Sequence, residues 1–186
     1  MEKEMKLLNI ELAHKDKYTN LYHLNYKNLN NDIKTYEVVS RKDLLKEETS
    51  LGNHIDAITM IIKHKSENKY LILKEFRLSV NRFVYNFVAG LIDDGETPLE
   101  ACIREVFEET NIKITKDNIK YELNDSYSAI GLSDERIKTF FVEIDGKYEL
   151  HTNGNPNEHI YPKFYSLDEI KELLKTECFT SRTQML

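Results

Sequence analysis

The sequence predicts an α/β (α+β) chain: a sandwich of mixed sheet and flanking helices, preceded by a small antiparallel β subdomain. Three observations carry this. The 186 residues are enough for one well-packed domain with a small appendage. Short apolar or β-branched segments recur along the chain. Between them stand two helix-start signals, Thr97-Pro98-Leu99-Glu100 and Ser166-Leu167-Asp168-Glu169, in each of which a capping residue is followed three positions later by an acid able to reach back to a free backbone donor.

Taken in order, Leu7–Leu12 is a short apolar segment, and Leu21–Tyr26 (LYHLNY) roughly alternates as a strand does. Asn28–Asp32 is turn-prone, and Thr35–Ser40 (TYEVVS) is β-branched and aromatic, a third strand. Three such strands bury little alone. Residues 1–45 are therefore expected to form an antiparallel subdomain leaning on a second domain over 46–186, with the charged residues 42–54 as linker. Ala57–Lys63 and Tyr70–Glu75 form a predicted hairpin through the polar Lys65-Ser66-Glu67-Asn68. Arg77 closes its second strand, and Arg82–Val88 is a further strand delivering Ala89 and Gly90 to a loop. Ile119–Tyr127 and Lys138–Ile144 are later strands, the latter apolar enough to be central. A strand ending near Leu150, the polar loop His151–His159 and the strand Ile160–Tyr165 follow, then a capped helix through about Leu174. The tail from Thr176 gives no chemical signal.

A formal net charge of -6 and the lack of a strongly basic stretch argue against general nucleic-acid binding. An acidic protein that handles phosphates must recruit metal or place a few local arginines. Cys102 and Cys178 are too few and too far apart for a zinc site or a disulfide framework, and read as free thiols of a reducing compartment. The first residues carry early acids and no long apolar run, so neither a signal peptide nor a membrane span is expected, and the cytoplasm is the default location.

The densest chemistry lies in Gly90–Ile112 (GLIDDGETPLEACIREVFEETNI). A helix should start at Pro98, a position that accepts proline. Leu99, Cys102, Ile103, Val106 and Phe107 fall on one stripe of it, and Glu105, Glu108 and Glu109 on another side. Asn111 enters the left-handed conformation easily and should stop the helix. Carboxylates at one-turn spacing repel one another by roughly 2 to 3 kcal/mol per pair at about 6 Å in an effective dielectric near 20. Arg104 can reach Glu108 and Glu100 along the helix, but one guanidinium cannot serve every carboxylate. An all-oxygen cluster without Cys or His suits Mg²⁺ or Mn²⁺ rather than zinc.

This segment resembles the Nudix box: Gly, five residues, Glu, seven residues, then Arg-Glu-aliphatic-any-Glu-Glu-any-Gly-aliphatic. Gly90, Glu96, Arg104, Glu105, Val106, Glu108, Glu109 and Ile112 match, and Asn111 stands where the family usually has Gly. The resemblance implies the Nudix α/β/α sandwich, with Glu105, Glu108, Glu109 and the Ala89 carbonyl holding Mg²⁺ (or Mn²⁺). It also implies that Arg104 and Glu108 belong to the catalytic group, Arg104 by fixing the glutamates, and that Gly90 and Glu96 shape the box.

Outside the box, several segments are similar to ADP-ribose pyrophosphatases. Tyr36–Arg41 looks like their N-terminal part, which commonly packs across a homodimer. Lys74-Glu75-Phe76-Arg77 resembles a triplet whose arginine reaches substrate phosphates, a task that suits a planar guanidinium. Ala129–Glu135 (AIGLSDE) is similar to the Ser-Pro-Gly-Phe-Ser-Asp-Glu loop, with Ser133 and Glu135 as substrate-binding residues and Ile130 where that loop usually carries Pro. In that subgroup a loop at the place of His151–His159 brings a glutamate over the metals as general base. Glu158, the one acid of the loop, is the candidate for it, a plain surface carboxylate being the alternative. The implied activity is metal-dependent hydrolysis of the diphosphate linkage of a nucleoside diphosphate derivative, ADP-ribose (to AMP and ribose 5-phosphate) or a nucleotide sugar. The implied partner is a small-molecule nucleotide, with neither nucleic acid nor membrane. Hydrolysis of a dinucleoside polyphosphate or nucleoside triphosphate, and a non-catalytic nucleotide-sensing module, remain as alternatives. Tyr127, Phe76 and the Tyr-rich N-terminal strand are candidates for stacking on the base.

Overall fold

The alternating N-terminal segments build three strands, β1 (Lys6–His14), β2 (Asn20–Lys27) and β3 (Ile33–Ser40), in an antiparallel sheet of order β1-β2-β3. The computed structural model describes residues 4–152 and 158–185. Tyr22, Leu24 and Val38 pack with Leu45 into a small apolar cluster, bordered by Leu7, Ile10, Tyr26 and Leu51. Between β2 and β3 the expected turn forms: the Asn28 side-chain oxygen accepts the Asn30 and Asp32 N–H groups at 2.8 and 2.9 Å, and Asn31 adopts φ 71°.

This sheet belongs to a unit that runs to Ile55 and includes Ser126–Arg136, which holds a short strand β9 (Ser126–Tyr127). The boundary read at residue 45 falls inside it. The charged stretch 42–54 is tied down rather than free, because Lys42 Nζ donates to Asp134 Oδ2 at 2.9 Å and the Gly52 N–H donates to the same oxygen at 3.2 Å. Gly52 sits at φ 53°, and a Cβ there would meet the Tyr127 ring at 2.7 Å, so this turn requires glycine twice over.

The second unit is Asp56–Asp125 and the chain from Ile137 onward. Its strands are β4 (Ala57–His64), β5 (Lys69–Arg77), β6 (Arg82–Asn86), β7 (Val88–Leu91), β8 (Ile119–Glu122), β10 (Arg136–Ile144) and β11 (Ile160–Tyr165). Its helices are α1 (Pro98–Thr110), α2 (Leu167–Thr176) and α3 (Ser181–Met185). The sheet path is β11-β5-β4-β10-β8, with β10 parallel to β4 and the other pairings along the path antiparallel. β4 is buried on both faces, which explains its nearly unbroken apolar run AITMII. Ile58, Met60 and Ile62 pack with Ala101, Cys102 and Val106 of α1, while Ile61 joins Ile72 and Tyr165, against which Ile170 and Leu173 of α2 rest. Helices thus cover both faces of a mixed sheet. Among the described residues no helix is long and apolar enough to cross a membrane.

Four details depart from the sequence reading. The expected strand Arg82–Val88 is two strands: β6 pairs with β5, β7 pairs with β4, and the chain changes partner at Phe87. The strand expected over Ile119–Tyr127 breaks after Glu122. No strand ends near Leu150, since β10 stops at Ile144 and a turn with Gly146 at φ 88° follows. The buried stripe of α1 is Ala101, Cys102, Val106, Thr110 and Glu109, turned toward the acidic side, and Leu99, Ile103 and Phe107 are only partly covered.

The ends of α1 do follow the local code. Thr97 Oγ1 accepts the Glu100 N–H, the Glu100 carboxylate accepts the Thr97 N–H at 2.8 Å, and Asn111 stops the helix at φ 63°. Asn111→Gly should therefore alter thermal stability little. Asn111→Val should lower it by about 1–2 kcal/mol or more, the cost of a Cβ-bearing residue held left-handed, as read from denaturant melts.

Candidate active site

β7 carries Ala89 and Gly90 alongside α1, and two contacts set their spacing. The Ala89 N–H donates to Glu109 Oε2 at 3.2 Å. A Cβ on Gly90 would collide with the Glu105 carboxylate, so only glycine lets that side chain lie across the strand. The preceding loop turns at Gly95, φ 83°, and presents Glu96.

Arg104 is the hub. Its Nε and Nη2 grip the Glu96 carboxylate at 2.9 and 2.8 Å, its Nη1 donates to Glu105 at 2.7 Å and Glu108 at 3.2 Å, and its Nη2 also donates to the Leu91 carbonyl at 2.9 Å. These contacts use all five guanidinium donors. The expected contact with Glu100 does not form, because that carboxylate caps its own helix at Thr97 instead.

The glutamates differ in environment. Hydrogen bonds from Arg104 hold Glu96 below the ordinary carboxylate range. Burial pushes the Glu105 carboxyl up to about 7, against the pull of Arg104 and with the help of Glu108 and Glu158. Glu109, 7% exposed, is raised well above the ordinary range by burial and then by Glu105 and Glu75, although the Ala89 N–H opposes the rise. Three acids, Glu96, Glu105 and Glu108, thus share one cation, and burial makes Glu105 and the neighbouring Glu109 resist ionisation.

Glu75 is the residue missed at the sequence level. It is 8% exposed, accepts from Arg77 Nη1 at 2.6 Å, and lies near enough to raise both Glu109 and Glu158. The signal was available: Leu71 and Leu73 face the α1 side of the sheet, and the period of two along β5 puts Glu75 in the same row. Glu158 is raised by partial burial and by Glu75 and Glu108, and Arg77 draws it down. The loop before it, residues 153–157, lies outside the described residues. The structure thus brings Arg77, Ala89, Gly90, Glu96, Arg104, Glu105, Glu108, Glu109 and Glu158 into one unit with Glu75.

Ser133 and Glu135 belong to the other unit, with local partners: Glu135 accepts from Ser128 Oγ at 2.7 Å and from Arg41 Nε at 3.2 Å. There Ile130 is 72% exposed, Tyr36 Oη donates to the Gly131 carbonyl at 2.7 Å, and Tyr127 lies beneath Gly52 with Arg136 over its ring. In the second unit Phe76 packs edge-on to Phe83.

Among the described residues no three His, Cys, Asp or Glu side chains close around a single point as they stand. Glu105 and Glu108 turn to Arg104, and Glu109 turns to the Ala89 N–H. The donor set nevertheless fits a hard divalent cation, being all oxygen and short of positive charge.

Residues 53–183 match the NUDIX domain model, and the chain belongs to the NUDIX domain family. A Caenorhabditis elegans nudix relative is 27% identical over 153 residues, 81% of this chain and 65% of that protein. The ADP-ribose pyrophosphatase of Bacillus subtilis is 25% identical, covering 76% of this chain and 80% of its own length. The ADP-sugar pyrophosphatase of Mus musculus is 31% identical, covering 55% of this chain and 46% of the mouse protein. This chain thus spans less than two thirds of the nematode and mouse proteins. A solved structure described as an ADP compounds hydrolase shares the fold, with a TM-score of 0.64 at 16% identity over 92% of this chain and 83% of that one.

Two outcomes follow from the geometry. Gly90→Ala leaves the protein folded, because the obstructing atoms end a flexible side chain, but it expels Glu105 from its place. Divalent-ion binding, followed by calorimetric titration, should then weaken at least tenfold, about the effect of one lost charged contact. The second outcome concerns pH. The metal-free folded protein holds protons on Glu105 and Glu109 that the unfolded chain releases near the ordinary carboxylate value of 4.5. Between that value and about 7 the native state binds more protons than the unfolded one, so these groups make stability fall as pH rises. Melts in chelator should show this loss, and Glu105→Gln should reduce it.

Proposed function

We propose that this protein hydrolyses the diphosphate linkage of a nucleoside diphosphate derivative, with ADP-ribose as the first substrate to test and a nucleotide sugar the second. The observation that carries the reading is the cluster of Glu105, Glu108 and Glu109 organised by Arg104 beside β7. The names of the Bacillus and mouse relatives support the substrate class.

Glu105, Glu108, Glu109 and the Ala89 carbonyl would hold Mg²⁺ or Mn²⁺. When bound, the ion supplies neutralisation of the diphosphate charge and a more acidic water. Arg77, half exposed and pinned by Glu75, offers its remaining donors to phosphate oxygens. Glu158 accepts a proton from the attacking water. The water oxygen bonds to one phosphorus, the bond from that phosphorus to the bridging oxygen breaks, and the departing phosphate keeps the bridging oxygen. Partial burial, and then the neighbouring carboxylates, raise the affinity of Glu158 for protons, which favours a base working near neutral pH. Arg104 has no N–H left for substrate and serves by holding the glutamates. Ser133 and Glu135 are proposed to bind substrate, and the first unit, with Leu8, Leu12 and Ile33 exposed, to form a homodimer. The proposed setting is the cytoplasm.

Incubation of ADP-ribose, GDP-mannose, UDP-glucose, NADH, a diadenosine polyphosphate and several triphosphates with Mg²⁺ and Mn²⁺ tests this. AMP and ribose 5-phosphate from ADP-ribose are expected. A triphosphate turned over faster than every diphosphate derivative would reassign the substrate, and tight ADP-ribose binding without products would make the protein a sensor. Glu158→Gln should lower kcat by about 10²–10⁴-fold, the usual contribution of a general base, with KM little changed.

A further inference from the structure

The change of partner at Phe87 leaves a gap in the sheet's hydrogen bonding. β6 pairs with β5 as far as Asn86, opposite Leu73, and β7 pairs with β4 from Val88, opposite Met60. The Phe87 N–H therefore falls between two ladders, and Phe87 is buried. A buried donor without an acceptor is costly.

The C-terminal segment fills that gap. The Tyr85 N–H donates to the Cys178 carbonyl at 2.8 Å and the Thr180 N–H to the Tyr85 carbonyl at 3.0 Å, a parallel bridge along β6. Phe179 stacks on Tyr85 with ring centroids 5.1 Å apart. Beyond the bridge, Thr183 Oγ1 accepts the Phe87 N–H at 2.9 Å and donates to Asn86 Oδ1 at 3.0 Å. Thr180 Oγ1 donates to the same Asn86 oxygen at 2.9 Å. Asn86 and Thr183 are 6% and 7% exposed, so this is a closed polar cluster inside the protein.

We infer that Thr183 is a positioning residue for the glutamate cluster. It fixes the point at which the strand crosses from β5 to β4, and so the place of Ala89, two residues on, and of Gly90. Ala89 and Gly90 are what Glu109 and Glu105 lie against. A residue in the last turn of the chain thereby sets the distance between β7 and α1 without touching either glutamate. The inference rests on the proposed function insofar as that cluster binds the divalent ion.

The test compares Thr183→Val, which keeps the shape and removes the acceptor, with Thr183→Ser, which restores it. Leu173→Ala, in the apolar cluster under α2, controls for general destabilisation. In the metal-free protein, amide exchange at Phe87 and Ala89 should quicken about fivefold or more in Thr183→Val, as for one lost hydrogen bond. The Mn²⁺ dissociation constant should rise by a similar factor, and kcat on ADP-ribose should fall while KM holds. Thr183→Ser should behave as the parent. Unchanged Ala89 exchange and Mn²⁺ affinity in Thr183→Val, or equal changes in Leu173→Ala, would overturn the inference. If Thr183→Val does not fold, Thr183→Ala removes the same acceptor; faster Ala89 exchange there supports the inference, and no change refutes it. Failure of the parent to bind Mn²⁺ would remove the proposed function, while the exchange comparison would still decide what Thr183 does.

Discussion

The mutual repulsion of Glu105, Glu108 and Glu109, set against a single guanidinium, is the constraint on which the site depends. At one-turn spacing these carboxylates would drive α1 apart from its neighbours or stay protonated. Arg104 relieves part of the repulsion by spending every donor it has on Glu96, Glu105, Glu108 and the Leu91 carbonyl. What it leaves is concentrated on Glu109, which is nearly enclosed and among the described residues accepts a hydrogen bond only from the Ala89 N–H. The deficit of positive charge is therefore local, buried and faced by oxygen, which is what a hard divalent cation requires.

Much of the surrounding fold serves that arrangement. Gly90 removes the one atom that would keep Glu105 off the strand. The capping box at Thr97 and the left-handed Asn111 fix both ends of α1, so the glutamates cannot slip by a residue. The double-sided burial of β4 gives β7 a rigid edge to pair with. Glu75 reaches the cluster from β5 and ties Arg77 into the same electrostatic group, so this arginine and the acids share one network.

What was legible in the sequence was local. Thr97, Pro98, Glu100 and Asn111 specify the limits of α1 by contacts within a turn, and those limits hold in the structure. Most strands followed from short apolar, alternating or β-branched runs, although Arg82–Val88 and Ile119–Tyr127 each broke in two and none ended near Leu150. Contacts made across the chain were not legible. The break at Phe87 depends on which neighbour each half-strand pairs with, and the closing partner, Thr183, lies 96 residues away. Lys42 and Asp134 turned a charged stretch that read as linker into part of a packed unit, again through a pairing with no local signature. Glu75 lay between these cases: its row on β5 could be counted, but a lone acid beside Arg77 reads more simply as a surface charge. The rotation of α1 toward its acidic side had the same cause. Apolar residues alone define the expected stripe, whereas Glu105 lies over the strand where Gly90 has no side chain and Glu109 is buried against the Ala89 N–H.

The most direct measurement is a calorimetric titration of the metal-free protein with Mn²⁺ near neutral pH, repeated in two buffers of different ionisation enthalpy so that released protons are counted. If the Glu105 and Glu109 cluster is the ion's site, saturable binding should occur with net proton release, because burial raises the proton affinity of both carboxyls in the metal-free protein. Saturable binding with no proton release, or no binding at all, would contradict the account.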